Sequence, residues 1–186
     1  MVAHRMIDEK EIFLLLEQDT MLDKAFGFIL DKYQERLYWH IRRMVGSHED
    51  ANDVFQNTMI KAYKGIQKFQ RKSTLLTWLY RIASNESLTF IKKRGRKETI
   101  SIDNEDLGLS NHMKAERYTE EGLAERYLKE AIDELPEKQR IVFIMRYYDE
   151  MPYQEIEKVL GTSVGGLKAS YHHAAKKIEA YVRKQF

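Results

Sequence analysis

Residues 153–177, YQEIEKVLGTSVGGLKASYHHAAKK, limit the possible folds more than any other stretch, because they spell two short helices around a tight turn. Ile156 and Leu160 stand four apart and so share one helical face. Gly161 follows, where a chain leaving a helix often needs positive φ. Ser163 is then placed to cap a second helix. In that helix Val164, Leu167, Tyr171, Ala174 and Ile178 are spaced as one buried stripe. The other face shows Lys168, His172, His173 and Lys176. A short helix, a glycine turn and a second helix with a polar, basic outer face match the helix-turn-helix that reads the DNA major groove. An ordinary helical hairpin is the plain alternative, since the same spacing occurs in bundles.

The rest of the chain fits an all-α protein. Charged residues make up 32% of it, and Pro136 and Pro152 are the only prolines, a mix that suits long helices. No stretch alternates as a strand would. Periodicity predicts helices at about 8–18, 22–45, 49–67, 75–94, 123–134, 137–148, 153–160 and 163–184. Breaks fall at Gly46-Ser47, Gln70–Thr74 and Gly161–Ser163. Residues 98–121 are polar and poorly periodic, so two small helical domains joined by a flexible linker are expected. An ordered loop packed on one domain is the alternative.

Charge is unevenly placed although the net value is only +2. Residues 71–97 hold eight Lys or Arg against one acidic residue, Glu86, whereas residues 98–121 hold seven acidic residues against two basic ones. A basic block can meet nucleic acid and an acidic one repels it. With no cysteine, disulfides, thiolate metal sites and thiol nucleophiles are excluded. Ile12–Leu16 is too short an apolar run for a signal peptide or a membrane span, so a soluble, cytoplasmic protein is expected.

Two surfaces stand out in the first half. Along 49–67, Phe55, Met59, Ala62 and Ile66 are spaced as a buried stripe, which leaves Asp50, Asp53, Gln56, Asn57, Lys61 and Lys64 outside. Such a face suits a polar protein interface, or is merely solvated. Along 75–94, Leu75, Trp78, Leu79 and Ile82 form an apolar stripe, with Trp78 and Tyr80 as packing residues and Arg81, Asn85 and Lys92 opposite. The loop before it, Phe69-Gln70-Arg71-Lys72-Ser73-Thr74, sets an aromatic ring beside cations and small hydrogen-bonding groups. That combination suits single-stranded DNA; a core with a basic helix end is the alternative.

Together these segments resemble the extracytoplasmic-function sigma factors of bacterial RNA polymerase. Asp50–Phe69, DANDVFQNTMIKAYKGIQKF, is similar to the clamp-docking region, and Thr77–Asn85, TWLYRIASN, to the promoter-melting signature. Leu135–Tyr148, LPEKQRIVFIMRYY, with 153–177, is similar to the C-terminal promoter-binding module. The resemblance implies a region 2 domain at 1–97, an acidic linker at 98–122 and a region 4 helix-turn-helix domain at 123–186. It implies a non-enzymatic factor without cofactor whose partners are core RNA polymerase, promoter DNA and an anti-sigma factor. Asp53, Gln56 and Asn57 would meet the polymerase. Phe69, Arg71, Lys72, Ser73, Trp78 and Asn85 would serve the −10 element, where a flipped base is held. Ser163, Lys168, Ala169, His172, His173 and Lys176 would serve the −35 element. The linker, in relatives, threads towards the polymerase cleft.

The departures concern specificity. Many relatives have Gly then Asp where this chain has Arg71 and Lys72, a more cationic loop. Ser170, His173 and Ala175 stand where relatives carry arginines, each worth roughly 1–3 kcal/mol of base discrimination. Gly165-Gly166, in the first turn, suits close approach of backbone N–H groups to a phosphate, or relieves crowding in the turn. Adjacent His172 and His173 point about 100° apart on a helix and share a metal ion poorly. An autonomous dimeric helix-turn-helix regulator is the competing reading; it would bind a palindrome without polymerase. A nuclease is disfavoured, for no carboxylate cluster, phosphate loop or nucleophile motif is present.

Overall fold

The computed structural model describes residues 8–102 and 120–185. Most of the expected linker therefore lies outside the described residues. The helices are α1 (Glu9–Leu16), α2 (Leu22–Val45), α3 (His48–Gly65), α4 (Leu75–Ile102), α5 (Glu120–Asp133), α6 (Glu137–Phe143), α7 (Tyr153–Leu160) and α8 (Val164–Arg183). The chain divides into two compact units, one built mainly on α1 to the first part of α4 and the other on most of the rest.

The first unit is organised around α2. Ala25, Phe26, Ile29, Tyr33, Leu37, Ile41 and Met44 recur at three- and four-residue steps along it and are all buried. Fully burying one such side chain contributes roughly 1.5–3 kcal/mol, so this stripe carries the unit. The helix stops at Gly46, whose φ of +94° only glycine adopts readily and whose N–H donates to the Arg42 carbonyl at 3.1 Å. Ser47 then caps α3 by accepting from the Asp50 N–H at 3.0 Å.

On α3 the buried residues are Ala51, Val54, Thr58, Met59 and Ala62, and Ile66 just beyond it is buried too, so of the expected stripe only Phe55 departs. Phe55 is half-buried at the edge, its ring 6.2 Å from Tyr38. Thr58 is accommodated because its hydroxyl donates to the Val54 carbonyl at 2.7 Å, which removes the cost of an unpaired buried group.

Helix α4 is capped by Thr74, whose Oγ1 accepts from the Thr77 N–H at 3.1 Å. Leu75, Leu79, Tyr80 and Ala83 are buried. Tyr80 meets His40 of α2 edge-on at 5.0 Å, and His40 Nε2 lies 3.0 Å from Ser84 Oγ. The Ser84 hydroxyl itself donates to the Tyr80 carbonyl, so its oxygen can accept from the imidazole. The helix continues eight residues past the expected end: beyond Gly95, which costs about 1 kcal/mol, no proline or second glycine interrupts 96–102.

The second unit packs α5 and α6 on α8 around Ala131, Ile132, Leu135, Phe143, Ala174 and Ile178. Helix α6 widens into a π-turn over Ile144–Tyr148, where the Asp149 N–H reaches back to the Ile144 carbonyl at 3.1 Å. The expected single helix over 137–148 thus changes pitch midway. Phe143 lies between Tyr147 (5.1 Å) and Tyr171 (5.6 Å), both nearly parallel to it, and Tyr153 of α7 meets Tyr171 edge-on at 6.4 Å. These rings tie α6 and α7 to α8. No described helix is long and apolar enough to cross a membrane.

Candidate nucleic-acid interface

The helix-turn-helix has the geometry its residues require. Ile156 is fully buried and holds α7. Gly161 takes φ +66° and an added Cβ there would meet nothing within 4 Å, so torsion rather than crowding demands glycine. Ser163 Oγ accepts from the Gly166 N–H at 3.4 Å, and Leu167, Ala174 and Ile178 turn inward. Val164 and Tyr171 are half-buried on the same stripe.

Ser163, Lys168, Ala169, His172, His173 and Lys176 are all exposed. They lie along the outer face of α8 or at its start, as a groove-reading helix requires. The His172 and His173 rings are 6.0 Å apart and inclined at 59°. Among the described residues, no three His, Cys, Asp or Glu side chains gather as metal ligands.

The two first-turn glycines differ. A Cβ on Gly166 would come within 3.2 Å of Thr162 Cγ2, so crowding accounts for it. A Cβ on Gly165 would meet nothing within 4 Å, and packing gives no reason for that glycine.

In the first unit, Asp53, Gln56 and Asn57 are exposed on α3. Ile60 joins them, 52% exposed and one helical turn on, an apolar surface residue that the sequence reading did not single out. Lys61 is drawn aside into an ion pair with Glu86 of α4.

The loop over 69–74 rests on an aromatic pile. The half-buried Trp78 ring lies over Gly65, where a Cβ would come within 3.3 Å of it. Phe69 packs on Trp78 at 5.2 Å and on Phe13 of α1 at 6.0 Å. Lys72 and Asn85 are exposed and Ser73 is half-buried, its hydroxyl donating to the Thr74 carbonyl at 3.2 Å.

Arg71 is engaged differently from its neighbours. Its φ is +54°, a left-handed conformation that costs a non-glycine residue about 1 kcal/mol. Its guanidinium sits 4.4 Å over the Phe13 ring and Nη2 donates to Glu17 Oε1 at 3.0 Å. An exposed cation–π contact gives roughly 0.5–1 kcal/mol and an exposed ion pair roughly 0.2–1, so the two together are enough to offset the backbone cost. Phe13 and Glu17 are far from the loop in sequence, and periodicity gave no sign of them.

Residues 29–97 match the family described as Sigma-70 region 2, and residues 125–178 match Sigma-70, region 4. The chain is 30% identical to the ECF RNA polymerase sigma factor SigW of Bacillus subtilis over 169 residues, 86% of this chain and 89% of that protein. The chain belongs to the ECF RNA polymerase sigma factors. This sigma factor is also 29% identical to the RNA polymerase sigma-H factor of Pseudomonas aeruginosa, over 94% of the chain and 95% of that protein.

Two solved structures share the fold. The sigma factor RpoE of Bartonella quintana, in complex with the anti-sigma factor NepR, has a TM-score of 0.69 at 22% identity, covering 86% of this chain and 98% of that one. CnrH, in complex with the cytosolic domain of CnrY, has a TM-score of 0.68 at 18% identity, covering 94% and 96%. As an ECF sigma factor the protein acts with RNA polymerase in transcription initiation, and α7 and α8 form the helix-turn-helix of region 4.

Proposed function

We propose that this sigma factor joins core RNA polymerase through the exposed face of α3 and carries it to promoters, reading the −10 element with residues 69–85 and the −35 element with α8. Asp53, Gln56 and Asn57 supply the polymerase contact around Ile60. Phe69 and Trp78 form the apolar floor of a pocket for one extruded base, with Lys72, Ser73 and Asn85 on the strand. Lys168, Ala169, His172, His173 and Lys176 face the major groove, and Ser163 sits at the helix start beside the phosphates.

The domains we assign are a region 2 module at 1–97, a linker centred on 98–122 and a region 4 module at 123–186. Helix α4 extends to Ile102 and α5 begins at Glu120, which shortens the stretch left for the linker. An anti-sigma factor is the expected third partner, since both neighbouring structures are complexes with one or with a cytosolic domain. The cytoplasm is where such a factor meets polymerase.

The observation that carries this reading is the pairing, in one chain, of an exposed α3 carboxylate-carboxamide face with a helix-turn-helix whose outer face is wholly solvent-accessible. Run-off transcription with purified core polymerase and a genomic promoter library tests it. The expected result is initiation at a defined promoter set only when the protein is added. Tight binding to a palindromic duplex without polymerase, and no initiation with it, overturns the reading in favour of a dimeric regulator.

A further inference from the structure

The loop over 69–74 is fixed from behind by α1. Ile12 of α1 is fully buried and the Tyr33 hydroxyl of α2 donates to Glu9, so α1 is itself anchored in the first unit. From that base Phe13 reaches the Phe69 ring, and both Phe13 and Glu17 hold Arg71.

We propose that Phe13, Glu17 and Arg71 form a latch that sets the shape of the −10-reading loop, so that Arg71 is a positioning residue facing α1 and not a phosphate contact. The inference rests on the reading of that loop given above and adds to it α1, which nothing in the sequence connected with DNA. Three features carry it. The Arg71 backbone is left-handed, which fixes the direction in which the loop delivers Lys72 and Ser73. Its guanidinium plane is occupied by a ring on one side and a carboxylate in front. That carboxylate would repel an approaching phosphate if Arg71 left it. The latch acts on base choice through Phe69, which is held between Phe13 and Trp78. A lysine cannot replace Arg71 here, because the planar fork both stacks and donates.

The test has two arms on the full chain. In the free protein, amide exchange across 69–74 is followed for Arg71→Lys and Phe13→Ala; faster exchange in both is expected, and wild-type protection in both overturns the latch. Arg71→Lys changes one exposed side chain, so folding is not at risk even if Phe13→Ala is damaging. In the second arm, holoenzyme carrying each variant transcribes linear templates randomised across the −10 region. Discrimination at the extruded position is expected to fall roughly two- to fivefold in both variants. Arg71→Gly is expected to leave the salt slope of promoter binding unchanged. Arg71→Lys behaving as wild type, with Arg71→Gly lowering that slope by about one, overturns the proposal and makes Arg71 a phosphate contact. Should wild-type protein fail to form holoenzyme while exchange still responds, the proposed function falls and the latch stands.

Discussion

The substitution Gly165→Ala sets helix stability against approach to DNA. Gly165 lies exposed in the first turn of α8; an added Cβ would meet nothing within 4 Å, and its φ is not positive. Alanine there loses less entropy on folding than glycine; the gain is about 1 kcal/mol mid-helix and about half that near an end. Gly161→Ala is the control. Its surroundings are equally open, but φ is +66°, so alanine should cost roughly 1–2 kcal/mol from torsion alone. Gly166→Ala should fall between, because its methyl must displace Thr162 Cγ2 from 3.2 Å. Urea unfolding of the full chain, followed by far-UV circular dichroism, should rank Gly165→Ala above wild type and Gly161→Ala below it. Transcription from a promoter dependent on its −35 element should meanwhile fall about fivefold in Gly165→Ala, close to 1 kcal/mol, because the methyl holds the helix N-terminus off a phosphate. Gly161→Ala and Gly165→Ala shifting stability in the same direction would refute the torsional argument. Raised stability with full promoter use would remove the phosphate role of Gly165.

Asp53→Lys combined with Gln56→Ala should weaken core polymerase binding at least tenfold in a fluorescence titration, with unchanged helix content, since both side chains are exposed. Lys168→Ala should weaken promoter binding across sequences and lower its salt slope by about one, measured by filter binding from low to high salt. Tyr33→Phe should cost about 1 kcal/mol at pH 7 by removing the hydrogen bond to Glu9. Burial, then that bond, raise the Tyr33 phenol above its ordinary 10, so its contribution is complete below pH 10 and is lost as pH rises through the folded value. The gap between wild type and Tyr33→Phe should therefore narrow in urea unfolding above pH 10.

Periodicity placed α2 and α7 closely because a single apolar stripe and a glycine stop define each of them. On α3 it found Met59, Ala62 and Ile66 but chose Phe55 over Val54 and Thr58, because Phe55 outweighs Thr58 in apolarity. In the fold Thr58 bonds its own helix and is buried, while Phe55 stays at the rim. The π-turn after Phe143 left no mark, since the apolar run 141–145 fits either pitch. The outward face of α8 was legible from the spacing of its stripe alone. The support of the −10 loop was not: Arg71 and Glu17 are 54 positions apart, and their meeting depends on how α1 packs on α2.

The two tryptophans, Trp39 and Trp78, both belong to the first unit, and Trp78 packs against Phe69 with its ring tilted 40° to it and is seated on Gly65. Neither indole lies on α8, whose aromatic residues are Tyr171 and Tyr181. In the free protein a nucleobase entering beside Phe69 would alter Trp78 emission directly, so titration with a single-stranded oligonucleotide would have an intrinsic optical signal, and a Trp39→Phe background would isolate it.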